Sequence, residues 1–208
     1  VNIGVDDKAF VVEEAEEMWS KLKEADSAYS KKKYEKAIRD YTRVLELDPE
    51  NIEAQSNLGM CYWLSNDIDN AIDTFDMILE KAPGFLPAYN SLGFILVETG
   101  RDLKKGVVLL EEAVDQDPAN PVYMDSLGWG YFKKGDLEKA ELTIRRALLF
   151  NNLFPDSKSL ATAYYHLGMV YGAMERNEDA ISELQKAVEA EPFNTNFRAE
   201  LSRLRKAK

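Results

Sequence analysis

The sequence predicts an all-α fold, a solenoid of about five helix-turn-helix units closed by one further helix. Two observations predict it. The first is a local figure, Leu127-Gly128 with Tyr131 and then Ala140, in which a glycine and an alanine on facing helices let the backbones approach. A glycine inside a helix costs about 1 kcal/mol against alanine, so its presence implies a close packing contact. The second is that the figure recurs. Five copies begin near Met18, Ile52, Leu86, Pro121 and Ala161, at spacings of 34, 34, 35 and 40 residues. The eighth position reads Ala25, Gly59, Gly93, Gly128 and Gly168, and the twentieth reads Ala37, Ala71, Gly106, Ala140 and Ala180. Position twenty-four is Tyr41, Phe75, Leu110, Ile144 and Leu184, and Pro49, Pro83, Pro118 and Pro192 close four units.

Taken in order, residues 1–6 lack periodicity and are expected to form a flexible arm. A single domain is expected over 7–208. From Asp7 the pattern is helical, with Phe10, Val11, Ala15, Met18, Trp19 and Leu22 recurring at three- and four-residue steps. Glu13, Glu14, Glu16 and Glu17 lie toward the positive end of that helix, where acids are favoured. The first helix is therefore longer than a standard repeat helix, and Phe10 and Val11 need a partner, either the first repeat or an interface. The units are expected at 18–51, 52–85, 86–120, 121–160 and 161–194. The fourth departs most: Asn151 to Ser157 adds six residues, expected as a loop whose Leu153 and Phe154 either fold back or meet a partner. A last helix, 195–207, carries Phe197, Leu201 and Leu204 on one face and basic residues outward, as the polar-faced cap a solenoid needs.

These copies resemble the tetratricopeptide repeat (TPR) family, whose period is 34 residues. The second copy matches well, with Leu58-Gly59, Tyr62, Ala71, Phe75 and Pro83. The resemblance spans about 18–192 and implies a right-handed superhelix whose first helices line a concave groove. In the family, positions two, five, six, nine and twelve of each unit point inward. Position nine here gives Asp26, Met60, Phe94, Trp129 and Met169, and position twelve gives Tyr29, Trp63, Val97, Phe132 and Gly172. The groove set implied is Tyr29, Met60, Trp63, Phe94, Trp129, Phe132, Tyr165 and Met169, rich in residue types that anchor interfaces. The two rows could also pack on each other as added core. The lysine, arginine and asparagine set with which one subgroup grips chaperone C-termini is not carried over, since only Asn57 stands in place.

Charge and composition narrow the partner. A net charge of −11 and a pI near 4.7 argue against nonspecific binding to nucleic acid or anionic membranes. No apolar run approaches the roughly 18 residues of a membrane helix. Cys61 is the single cysteine, in a small core slot at position ten, which rules out an internal disulfide. The one histidine, His166, is expected as a polar groove or packing residue beside Tyr165. The aspartates at 67, 69, 73 and 76 lack the glycine and terminal glutamate of a calcium loop. No phosphate loop, metal spacing or dinucleotide fingerprint is present. The expectation is a non-enzymatic adaptor without cofactor or metal, a monomer or weak homo-oligomer, holding a partner peptide or amphipathic helix. The alternative is an assembly factor or self-associating scaffold of a bacterial envelope or pilus-type complex. A cytoplasmic location is favoured, or an envelope-associated one if a signal or anchor was removed.

Overall fold

A computed structural model describes the backbone of residues 5–153 and 157–206, and the side chains of 13–151 and 159–206. Among the described residues there are eleven helices and no strand. In order they are α1 Val5–Ser30, α2 Tyr34–Leu47, α3 Ile52–Leu64, α4 Ile68–Lys81, α5 Leu86–Thr99 and α6 Leu103–Gln116. Then follow α7 Pro121–Lys134, α8 Leu137–Leu153, α9 Ser157–Ala173, α10 Asn177–Ala190 and α11 Thr195–Lys206. The chain divides into two compact units, residues 1–95 and 96–208.

The turn inside every pair follows one rule. Its residue with positive φ is Lys32, Asn66, Gly100, Gly135 and Glu175 in turn, the fifteenth position of each copy. At Lys32 the backbone N–H donates to the carbonyl of Tyr29, and the next N–H, of Lys33, reaches back to Ala28. The same two bonds recur at 66–67, 135–136 and 175–176. They satisfy the last carbonyls of the first helix and turn the chain by a left-handed residue. Between pairs a second device repeats. Asn51, Asn120 and Asn194 each accept backbone N–H bonds from the helix they open. Each also donates its amide to the acid three residues before it, Asp48, Asp117 and Glu191. This caps the orphan donors of a helix start.

In the first unit α1 packs on α2, α2 on α3 and α3 on α4. Its core holds Ala25, Ala37, Tyr41, Val44, Ala54 and Cys61, all without exposure. Burial pushes the Cys61 thiol up to about 12, as expected of an inert buried sulfur. In the second unit α6 to α10 pack in sequence, and α11 closes against α10 with Phe197, Leu201 and Leu204 buried. At Gly59, Gly128 and Gly168 the glycine of position eight faces the large residue of position twenty-four. A Cβ at Gly59 would lie 2.9 Å from Phe75, at Gly128 2.4 Å from Ile144, and at Gly168 2.7 Å from Leu184. The contact that needs the glycine at 128 is thus Ile144 before Ala140.

Two expectations are corrected. The first helix starts at Val5, not Asp7, so residues 5 and 6 belong to it and not to an arm; residues 1–4 lie outside the described residues. The described residues of the fourth copy's addition are helical and not loop: α8 runs to Leu153 and α9 begins at Ser157, 17 residues each, while 154–156 lie outside the described residues. Asn151, 1% exposed, accepts a hydrogen bond from Ser159 at 2.9 Å. Helix lengthening satisfies backbone groups that a loop would leave to solvent. The side chains of Phe10, Val11 and Leu153, and all of Phe154, lie outside the described residues.

Candidate interaction face

The first unit presents four of the expected residues on α1, α3 and α5. Tyr29, Met60, Trp63 and Phe94 are each half-buried. Trp63 and Phe94 meet edge to face at 6.3 Å, and Tyr29 meets Tyr34 likewise at 6.3 Å. Such pairs hold rings in fixed orientations while leaving part of each face to solvent. Asp26, at position nine of the first copy, is tied inward: it accepts the Tyr41 hydroxyl at 2.6 Å. Burial first, and then that carboxylate, raise the Tyr41 hydroxyl far above the usual phenol range.

The second unit builds a ladder of rings from α7, α9 and α11. Phe132 stacks on Trp129 with centroids 4.8 Å apart, and Trp129 stacks on His166 at 4.2 Å. His166 meets Tyr165 at 5.9 Å, and Tyr165 stacks on Phe197 at 4.7 Å. The indole N–H of Trp129 donates to Glu98 at 2.7 Å, and Lys133 lies 3.3 Å from the same carboxylate and over the indole face. Trp129 is only 7% exposed, against the expectation of a partly exposed groove residue. The reason is geometric: two rings stack on the indole and its N–H is already bonded. Phe132, Tyr165 and Met169 are half-buried.

His166 is buried as well, with Nδ1 2.9 Å from Oδ2 of Asp125. Sequence reasoning passes over Asp125, one acid among 37 Asp and Glu residues. The signal that could have found it is register, since positions five of one copy and six of the next are both inward. The pair fixes the imidazole plane that Trp129 lies on. No group of three His, Cys, Asp or Glu side chains among the described residues could hold a metal ion. Nor is any helix among them long and apolar enough to cross a membrane.

Comparison with known proteins accords with this architecture. Two tetratricopeptide repeat models match, over residues 28–93 and 161–194. The chain is 26% identical over 147 residues, 71% of its length, to a TPR repeat-containing protein of Pseudomonas aeruginosa, of which it covers 24%. It is 25% identical over 170 residues, 81% of its length, to the anaphase-promoting complex subunit CDC16 of Saccharomyces cerevisiae, of which it covers 20%. The chain thus spans a quarter or less of the length of these curated relatives. Among solved structures, a thermophilic TPR protein of Thermus thermophilus superposes with a TM-score of 0.77 at 20% identity, covering 90% of this chain and 98% of that one. YrrB, described as a TPR protein with an unusual peptide-binding site, superposes at 0.57 with 23% identity, covering 85% and 87%. Repeats of this kind generally mediate protein–protein interaction. By its repeat period, its turn chemistry and the two model matches, the chain carries tetratricopeptide repeats over residues 28–93 and 161–194.

Proposed function

We propose that the protein is a non-enzymatic adaptor that holds an apolar or amphipathic segment of a partner protein on the faces of its first helices. The observation that carries this is the set of large rings and methionines at positions five, nine and twelve, half-buried in both units. Tyr29, Met60, Trp63 and Phe94 would serve in the first unit, and Phe132, Tyr165 and Met169 in the second. Trp129 has a different role in this reading. Clamped by Glu98, Phe132 and His166, it presents its neighbours rigidly instead of contacting the partner. A rigid aromatic surface loses little side-chain freedom on binding, which favours affinity. The lack of a catalytic role is supported by the state of the two groups best suited to chemistry: Cys61 is buried with its thiol pushed up, and His166 is engaged by Asp125 and Trp129.

The test places a photo-crosslinking side chain at Trp63 and at Phe132, with Val108, 55% exposed on α6, as the control site. A partner captured at the first two sites and not at Val108 supports the reading. Capture at Val108 alone overturns it. With that partner in hand, Trp63→Ala and Phe132→Ala should weaken binding by about 1–2 kcal/mol or more, with little change in melting. A second reading, a self-associating scaffold, has one observation of its own. Leu142 and Leu149, seven residues apart on α8, are 65% and 67% exposed. Sedimentation across concentration, with Leu142→Glu/Leu149→Glu beside the parent, separates the two.

A further inference from the structure

On a chain of net charge −11, the α1–α2 pair carries a pocket of the opposite sign. The cavity, about 440 Å³, is lined by four lysines, Lys23, Lys31, Lys33 and Lys36, against one acid, Glu24, together with Ser20 and Ser27. Its lysines are not equivalent. Lys36 is met by carboxylates, Asp40 at 2.6 Å and Glu24 at 3.0 Å. Lys31 donates to the Ser27 hydroxyl at 3.0 Å, which supplies no counter-charge. Among the described residues neither Lys23 nor Lys33 is in an ion pair. Three ammonium groups therefore border one small-residue floor, completed by Ala28, without a carboxylate partner of their own.

The repeat register shows that this face is chemically distinct from its counterparts. Positions three, seven and ten elsewhere are Ala54, Leu58 and Cys61, or Ala163, Leu167 and Val170, all buried. At Gly130, the position-ten residue of α7, the nearest side chains are Val107 and Leu110 of the preceding α6. On α1 the same positions read Ser20, Glu24 and Ser27. A face that elsewhere buries apolar groups against a helix here carries two serines and Glu24, bordered by lysines.

We propose that this pocket docks an extended acidic segment of a partner protein. Charge complementarity selects the sign, and spacing selects the form. Lys23 and Lys31 are eight residues apart, about 12 Å along α1, a span an extended strand covers in about four residues. Alternate side chains of such a strand share one face, so acids at every second position would reach Lys23, Ser27 and Lys31 in turn. Because the molecule as a whole repels polyanions, binding of an acidic peptide must be local.

The probe is a fluorescein-labelled ten-residue peptide alternating Glu and Ser, titrated against the full chain by anisotropy at low salt, beside its Gln/Ser twin. The acidic peptide should bind, the twin should not, and added salt should weaken binding steeply. Lys23→Glu/Lys33→Glu should lose at least about tenfold, 1.4 kcal/mol. Lys104→Glu/Lys134→Glu, the same charge change at exposed sites on α6 and α7, should lose about twofold or less. Lys23→Arg/Lys33→Arg should retain binding, and Lys23→Gln/Lys33→Gln serves if the reversal disturbs melting. Equal loss in the control pair, equal binding of the twin, or no binding at about 1 mM overturns the proposal. So does displacement by inorganic phosphate at concentrations below the peptide's own Kd, which would make the pocket a small-anion site.

Discussion

Replacing Gly128 by alanine sets two effects of opposite sign against each other. Alanine is the better helix former, by about 1 kcal/mol. Its Cβ, however, would stand 2.4 Å from Cγ1 of Ile144, with the Ile144 backbone nitrogen 3.2 Å away. Carbon atoms rest at about 3.5–4.0 Å, so more than an ångström must be found. Ile144 is wholly buried and its backbone belongs to α8, so neither yields freely. Overpacking of this kind costs about 1–3 kcal/mol, and here the upper part of that range applies. The net loss is then about 1–2 kcal/mol, a fall in melting midpoint of about 2–8 °C for a chain of this size. Gly130→Ala, two residues on, is the control. Its Cβ would meet only side-chain methyls, of Val107, Leu110 and Val97 at 3.2, 3.3 and 3.7 Å, so its effect should be near zero. A double-mutant cycle sharpens the test. In an Ile144→Ala background, itself about 2–5 kcal/mol less stable, Gly128→Ala should become neutral or stabilising. If Gly128→Ala raises the midpoint of the parent, propensity outweighs contact and the packing argument fails.

Other expectations follow from the same geometry. Trp129→Ala should cost about 3–5 kcal/mol, as for a core aromatic; a loss below about 1 kcal/mol by chemical denaturation would show that the ring is not clamped. Glu175→Gly should stabilise by roughly 1 kcal/mol, because a left-handed backbone strains every residue but glycine; an unchanged midpoint would remove that account of the turn. Cys61 should react with a thiol reagent only on unfolding. Its folded value, about 12, lies above the unfolded value near 8.5, so its contribution is complete below about pH 8.5 and is lost as pH rises toward 12. Tyr131, pushed up to about 12 by burial and then by its bond to Glu111, acts in the same direction above about pH 10. Stability should fall above about pH 9, less steeply in Cys61→Ala, and equal slopes would discount the thiol. Removing residues from Thr195 onward uncovers Ala161, Ala187 and Tyr165, which Phe197 covers; light scattering should then rise on warming, and a clear solution would count against α11 as a cap.

The sequence by itself determined the helix pairs, their register and the small residues that let them approach, because each is written locally and then repeated. Glycine at position eight, alanine at twenty and proline at the close are constraints within one hairpin, and five copies average out the exceptions. The fate of the aromatic rows was decided only by the tertiary structure. Register marked Trp129 as inward-facing, yet its burial depends on His166, 37 residues away on the next pair, and on Glu98 of the preceding one. Register is a property of one helix; which rings stack depends on how successive pairs are set against each other. The fourth copy makes the same point. In sequence its added residues interrupt the period, but in the structure the described ones extend helices, α8 to Leu153 and α9 from Ser157, which keeps their backbone groups paired. The lysine pocket of α1 was legible only in part. In sequence Lys31 to Lys33 are three cations beside a turn, and it took the packed hairpin to bring Lys23 and Lys36 to the same floor.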